Sequence, residues 1–191
     1  MGIEQLTPPA LEPVTLAEAK LHLRVDHADE DALIQSLIVT SRLQIEAALG
    51  IALLDQSWRI VRDAWPLSDV VDLSLHPVRV VTAVRILDAA GVAQVLDSIG
   101  YVLEATALPP RLVTRSGYWP APGARAGGIQ IDIEAGYGPT ASDVPAPLRQ
   151  AVLMLAAHWY ENREPSAVGS PAARIPANVS SLLEPYRVAR L

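Results

Sequence analysis

The chain has no cysteine, no phenylalanine and, among fifteen basic residues, a single lysine, Lys20. Without cysteine there is no disulfide framework, no thiolate metal site and no cysteine nucleophile, a composition that fits a reducing compartment. No apolar run approaches the roughly 20 residues of a membrane span. The longest candidate, Ala151 to Ala157, is far too short, so no membrane association is expected. The first nine residues, Met1 to Pro9, lack the basic region and apolar core of a signal peptide. Positive charge is also short. The formal net charge is −6, which argues against general DNA binding, because Lys and Arg neutralising phosphates supply most of that affinity.

What the chain does have is apolar material. Half of its 191 residues are hydrophobic, enough for a packed core and too much for wholesale disorder. The length fits one domain with room for an inserted subdomain.

Pro8, Pro9 and Pro13 disfavour helix at the start, so residues 1–13 read as an extended arm. Thr15 with Glu18 three residues on is a capping box and opens a first short helix. Acidic residues at Asp29, Glu30 and Asp31 suit the start of a second helix, where the helix dipole favours them. Leu33, Leu37, Ile38, Ile45 and Leu49 recur at helical spacing, predicting a helix over about 29–49 that ends at Gly50.

From residue 52 the pattern shortens. Strands are predicted at Ser57–Arg62, Val70–Leu75, Val80–Leu87, Val92–Leu96, Tyr101–Glu104, Arg111–Thr114 and Ile129–Glu134, with a hairpin turn at Asp88-Ala89-Ala90-Gly91. A third helix follows from about Ala146 to Arg163, with Pro145 and Pro147 at its first turn. Its apolar positions, Leu148, Ala151, Val152, Leu155, Ala156 and Trp159 among them, cover most of its circumference and imply burial on more than one side. Residues 169–173 read as a linker. A short fourth helix is predicted between Pro176 and Tyr186, followed by a basic end. The strands are contiguous rather than interleaved with helices. The fold class is therefore α+β, a helical bundle of about four helices with an antiparallel β subdomain inserted between the second and third.

No motif in the chain demands catalysis, and no metal or cofactor is called for. His22, Asp26, His27, Asp29, Glu30 and Asp31 form the densest polar cluster. It lacks the spaced ligands and central glycine of a calcium loop, and helix initiation accounts for it. His158 and Glu161 share a helix face, but a metal motif of that kind needs partners on other helices. Gly136-Tyr137-Gly138 lacks the spacing of a phosphate loop or a dinucleotide fingerprint and reads as a turn. Ser116-Gly117 and Ser170-Pro171 lack a nucleophile elbow. Trp58, Trp65, Trp119 and Trp159 serve most simply as core and interface anchors. The competing reading is a stacking surface for nucleic acid, with Arg59, Arg62, Arg111 and Arg115 as its basic groove.

An ordered set of segments resembles the head–tail connector (adaptor) proteins of long-tailed bacteriophages and their counterparts in gene transfer agents. The set begins with Pro13-Val14-Thr15-Leu16-Ala17-Glu18-Ala19-Lys20, the acidic start at Asp29-Glu30-Asp31, and Arg42 to Glu46 leading into Leu54-Asp55-Gln56-Ser57-Trp58. It continues with Ala135-Gly136-Tyr137-Gly138, Val144-Pro145-Ala146-Pro147-Leu148-Arg149-Gln150-Ala151 and His158-Trp159-Tyr160-Glu161-Asn162-Arg163-Glu164, and closes with Leu182-Leu183-Glu184-Pro185-Tyr186-Arg187. The resemblance spans about residues 13–187, with residues 62–128 similar in pattern only.

The resemblance implies a non-enzymatic structural protein of a virion or phage-like particle, found at the head–tail junction and in the host cytoplasm during assembly. It would form a ring of twelve copies under the portal protein and bear a downstream neck, stopper or tail-completion protein. Double-stranded DNA would pass through its lumen without sequence-specific binding. The expected organisation is an N-terminal arm over 1–13, one connector domain over 14–165 with the β insertion at about 55–135, and a linker and portal-docking segment over 166–191. Leu182, Leu183, Tyr186, Arg187 and Arg190 are the expected portal contacts, since Tyr and Arg are frequent hot-spot residues. Leu37, Trp159, Tyr160 and Arg163 are the expected subunit-packing residues. The alternative function is a nucleic-acid-binding DNA-packaging factor of the same particle.

Overall fold

The structure is a computed structural model that describes residues 2–162 and 175–187. It contains four α-helices, α1 (Leu16–Leu23), α2 (Asp31–Leu49), α3 (Ala146–Glu161) and α4 (Ala177–Leu183). Its strands are β1 (Gly2–Thr7), β2 (Gln56–Arg62), β3 (Val70–Asp72), β4 (Val78–Leu87), β5 (Ala93–Val95), β6 (Tyr101–Glu104), β7 (Arg111–Thr114) and β8 (Ile129–Ala135). The strands from β2 onward lie between α2 and α3, as the predicted α+β class requires. Among the described residues, no helix is long and apolar enough to cross a membrane. The chain divides into two compact units, a β unit of residues 1–9 and 50–136 and a helical unit of residues 10–49 and 137–191.

In the helical unit, α1 begins at the predicted capping box. The Glu18 amide donates to the Thr15 hydroxyl, and the Thr15 amide donates to the Glu18 carboxylate at 2.7 Å. The Thr15 backbone above all, with the Thr15 side chain and Arg149, holds the Glu18 carboxyl below the usual range against the opposing effect of burial. Leu148, Ala151, Val152, Leu155 and Ala156 of α3 are buried, as their spacing predicts, and Val179 and Leu183 of α4 join the same unit's core. The face buried by α2 agrees with the predicted stripe at Ile38, Ile45 and Leu49 and departs from it at Leu33 and Leu37. Ile34, Ile38, Ser41, Arg42, Ile45, Glu46 and Leu49 point inward, whereas Leu33 is 36% exposed and Leu37 is half-buried. Gly50 ends α2 with a positive φ of 69°, the left-handed conformation that favours glycine at a helix C-terminus.

The β unit holds a five-stranded sheet in the order β1-β2-β8-β4-β5 and a three-stranded sheet in the order β3-β7-β6, with every strand pair antiparallel. One aliphatic core draws on both sheets, including Ile60, Val84 and Ile131 from the first and Val71 and Leu112 from the second. Full burial of each such side chain stabilises by about 1.5–3 kcal/mol. The strict alternation of β8 puts Ile129, Ile131, Ile133 and Ala135 into this core. Asp88 closes the β4–β5 turn as expected, its carboxylate accepting from the amides of Ala90 and Val92. The strand predicted over Val70–Leu75 stops at Asp72. Leu73 still donates to the Pro110 carbonyl at 2.8 Å, and Leu73 and Leu75 turn into the core.

The first residues are extended, and they also pair with β2, from Gly2 opposite Val61 to Thr7 opposite Ser57. No local pattern announces this strand, because its partner lies some fifty residues away.

Candidate functional site

Three groups of side chains that the sequence singles out are absorbed by local structure. In the acidic cluster, Lys20 reaches across the α1–α2 turn to Asp31 and to the His27 carbonyl, both at 2.6 Å. Glu30 accepts from the Tyr160 hydroxyl, and His27 and Asp29 approach only to 3.9 Å at the surface. The cluster starts α2 and ties it to α1 and α3. Among the described residues no group of His, Asp or Glu is arranged to hold a metal ion.

Gly136-Tyr137-Gly138 is a site of close approach. A Cβ on Gly136 would lie 2.4 Å from the Leu54 backbone, with φ at 140°, and a Cβ on Gly138 would lie 2.5 Å from Asp143. Tyr137 between them is pushed above the usual tyrosine range by burial, with Tyr186 adding to the effect.

The tryptophans do not form a stacking platform along a basic groove. Trp58 packs against the β core. Trp65 and Trp119 stack at 4.4 Å between ring centres, and each indole N–H is satisfied by a backbone carbonyl, of Pro120 and Asp69 respectively. Trp119 and Tyr101 border a shallow cavity of about 160 Å³ that also meets Asp97, Thr114 and the exposed Tyr118. Of the four candidate arginines, three have partners. Arg59 donates two hydrogen bonds to Asp132, at 2.7 and 3.0 Å. Arg62 donates to the Asp72 carbonyl at 2.6 Å, and burial lowers its pKa. Arg111 pairs with Glu104 at 2.9 Å.

The sequence marked Arg42 to Glu46 only as a segment of the resemblance and Arg59 only as a candidate groove residue, and it did not foresee that these residues fix charge within each unit. In the helical unit Arg42 is 5% exposed and bridges two carboxylates. Its Nε donates to Glu12 at 2.7 Å, and Nη1 donates to Glu46 at 2.8 Å. Burial opposes the guanidinium charge, but Glu12 and Glu46 more than offset it and raise the pKa. In the β unit Asp132 lies on the outward face of the central strand, between Arg59 on β2 and Arg85 on β4. Burial pushes its carboxyl up, while the hydrogen bonds and charges of the two arginines outweigh that and hold it below the usual carboxylate range.

The expected assembly residues are distributed as follows. Leu37 is half-buried on α2, and Trp159 and Tyr160 are half-buried on α3. Leu182 is half-buried on α4, and Tyr186 is half-buried just beyond it. Arg187 is exposed and pairs with Glu184 at 3.5 Å. Leu183 is fully buried in the helical unit's own core, which makes it a packing residue rather than an offered anchor. Arg163 and Arg190 lie outside the described residues.

Comparison with known proteins gives these surfaces a context. Residues 13–90 and 124–187 match the family described as phage gp6-like head-tail connector protein. A chain in the neck of an empty gene transfer agent particle, computed with C6 symmetry, is 31% identical, with a TM-score of 0.85. A chain in the virion of a native gene transfer agent particle is 32% identical, also at 0.85. A chain in the neck of a native particle, computed with C12 symmetry, is 31% identical at 0.82. In all three, the likeness covers 100% of this chain and 97% of the other. No curated protein matches significantly. With both of its units inside the match, the chain belongs to the phage gp6-like head–tail connector family, structural proteins of the head–tail junction.

Proposed function

We propose that the chain is an adaptor that forms a closed ring of twelve copies under the portal of a phage-like particle. It joins the head to a neck, stopper or tail-completion protein and leaves a channel for double-stranded DNA. The observation that carries the reading is the full-length likeness, in both directions, to chains of gene transfer agent necks, one of them computed with twelve-fold symmetry.

The surface chemistry of α2 supports it. This 19-residue helix is about 28 Å long. Its two interior charges, Arg42 and Glu46, are turned inward, and none of its exposed residues is charged. A solvent-facing helix side of Leu33, Ser36, Thr40, Leu43 and Ala47 suits contact with a neighbouring copy better than water. Leu37 borders that side. Trp159 and the ring of Tyr160 on α3 are the remaining described candidates for subunit packing. At the other end, Leu182, Tyr186 and Arg187 are the described residues offered to the portal, while Leu183 holds α4 in place.

The test is mass measurement and imaging of the full chain alone and with its portal. A ring stoichiometric with the portal is expected, and removal of residues 184–191 should abolish portal binding while the fold persists. The truncation stops short of Leu183 because that residue belongs to the core. A monomer that ignores the portal and binds DNA with a steep salt dependence would overturn the reading in favour of a packaging factor. The pairing of Arg59, Arg62 and Arg111 weighs against that outcome.

A further inference from the structure

The five-stranded sheet has an unfinished edge. β1 is its first strand, and all six of its residues are exposed. Among the described residues its outer side has no strand partner, so its outward backbone N–H and C=O groups face solvent. Isolated edges of this kind are normally blunted by lysine, proline or inward-pointing charge. β1 contains no lysine or proline, and its one charged residue is Glu4.

The register shows what is missing beside it. On the inward face one row runs Ile3–Ile60–Ile131–Val84 across β1, β2, β8 and β4. Ile60, Ile131 and Val84 are fully buried, but Ile3, at the end of the row, is 45% exposed. On the outward face the adjoining row runs Glu4–Arg59–Asp132, with Arg85 reaching the same aspartate from β4. Charge therefore alternates from strand to strand and ends, at the edge, on an acid. Directly opposed cross-strand pairs are the unit of sheet stabilisation, with opposite charges and apolar pairs favoured. A sixth strand that continued both rows would place an apolar residue beside Ile3 and a basic residue beside Glu4.

We propose that β1 is a docking edge for an extended segment of another protein of the particle, a segment whose residues alternate apolar and basic. The main-chain ladder supplies affinity and the two rows supply selectivity, as in other strand additions. The inference stands on the edge itself and does not need the ring.

The experiment titrates the full-length protein with a labelled synthetic peptide of alternating valine and arginine. Two controls accompany it, a valine–glutamate peptide of the same length and a valine–arginine peptide N-methylated at alternate amides. Hydrogen exchange of the β1 amides is followed in parallel. Saturable binding of the first peptide, protection of residues 2–7 and loss of binding by both controls are expected. Glu4→Arg should weaken binding at least tenfold, and Glu4→Gln, which sets no like charge opposite Arg59, should weaken it less with an unchanged thermal melt. Equal binding of the valine–arginine and valine–glutamate peptides would overturn the proposal, as would indifference to N-methylation. If β1 instead becomes protected without peptide as protein concentration rises, the occupant is a second copy of this chain and the assigned partner is wrong.

Discussion

The two units solve the same electrostatic problem with opposite signs and in different surroundings. In the helical unit one cation, Arg42, sits between two acids, Glu12 and Glu46. In the β unit one acid, Asp132, sits between two cations, Arg59 and Arg85. The side chains of Arg42 and Glu46 are 6% and 8% exposed, so that cluster is inside the protein. The two arginines around Asp132 are each 27% exposed, so water reaches that cluster through its cations, although Asp132 itself is 9% exposed. The helical cluster therefore binds the segment before α1 to the middle of α2 from within. The β cluster laces three strands together from outside, over a core that is already aliphatic. It follows that the two units should respond very differently when one member of each cluster is removed.

The largest effect is expected at Arg42. Arg42→Met removes the buried cation between Glu12 and Glu46, and breaking a buried pair in this way costs about 3–5 kcal/mol. For a protein of this size that corresponds to a fall in Tm of roughly 6–20 °C. Thermal and urea melts measure it. The double variant Arg42→Met/Glu46→Leu should recover part of the loss, because it removes one of the two acids left facing each other while Glu12 stays without its cation. A single variant as stable as the parent would show that the cluster is effectively solvated and would erase the contrast between the units.

A smaller effect is expected at Asp132. Asp132→Asn removes the acid shared by two partly exposed arginines, at a cost of about 1–2 kcal/mol. It also changes the pH dependence. The folded carboxyl titrates below its ordinary value of 3.8, so its contribution is fully present above that pH and is lost as pH falls through the depressed folded value. The parent protein should therefore lose stability below about pH 3.8 by a component that Asp132→Asn lacks. Melts of both proteins from neutral pH into the acid range decide it, and parallel curves would remove Asp132 from the account.

These clusters also show what was legible in the sequence. Order and type of the elements between α1 and α4 followed from period, caps and turn residues. Thr15, Gly50, Asp88 and the apolar positions of α3 behave as their local chemistry dictates. The orientation of α2 was legible in part: Ile38, Ile45 and Leu49 are buried as their spacing predicts. Leu33 and Leu37 look like core and Arg42 and Glu46 look like surface, because a charge on a helix is ordinarily solvated. Glu12, thirty residues before Arg42, helps to hold the guanidinium inward, and such a remote partner leaves no periodic trace. The same holds for β1, whose partner β2 is equally remote. The residues expected at assembly contacts were chosen as apolar, aromatic and basic anchors, most of them near the chain's end. Burial then separates Leu183, which packs inward, from Leu182, Tyr186 and Arg187, which remain available.

The smallest effect on folding, and the sharpest test of the comparison, is expected on the outer surfaces. The outward side of α2 carries no charge, whereas the outward face of the five-stranded sheet is laced with it. Leu43 is 49% exposed on α2, and Leu and Arg have similar helix propensity. Leu43→Arg should therefore change monomer stability by no more than about 0.5 kcal/mol. If that side is the contact between copies, the same substitution buries an unpaired charge on assembly and should abolish rings. Val80→Arg is the matched control. It adds the same charge to β4, at a 41% exposed position whose cross-strand partner is Glu134, and should leave both folding and assembly intact. Melts together with ring counts by imaging read both variants. Loss of rings in Leu43→Arg alone assigns the uncharged helix side to assembly, because charge is then excluded from one surface and tolerated on the other. Rings in both variants would mean that the absence of charge on α2 has no bearing on how copies meet.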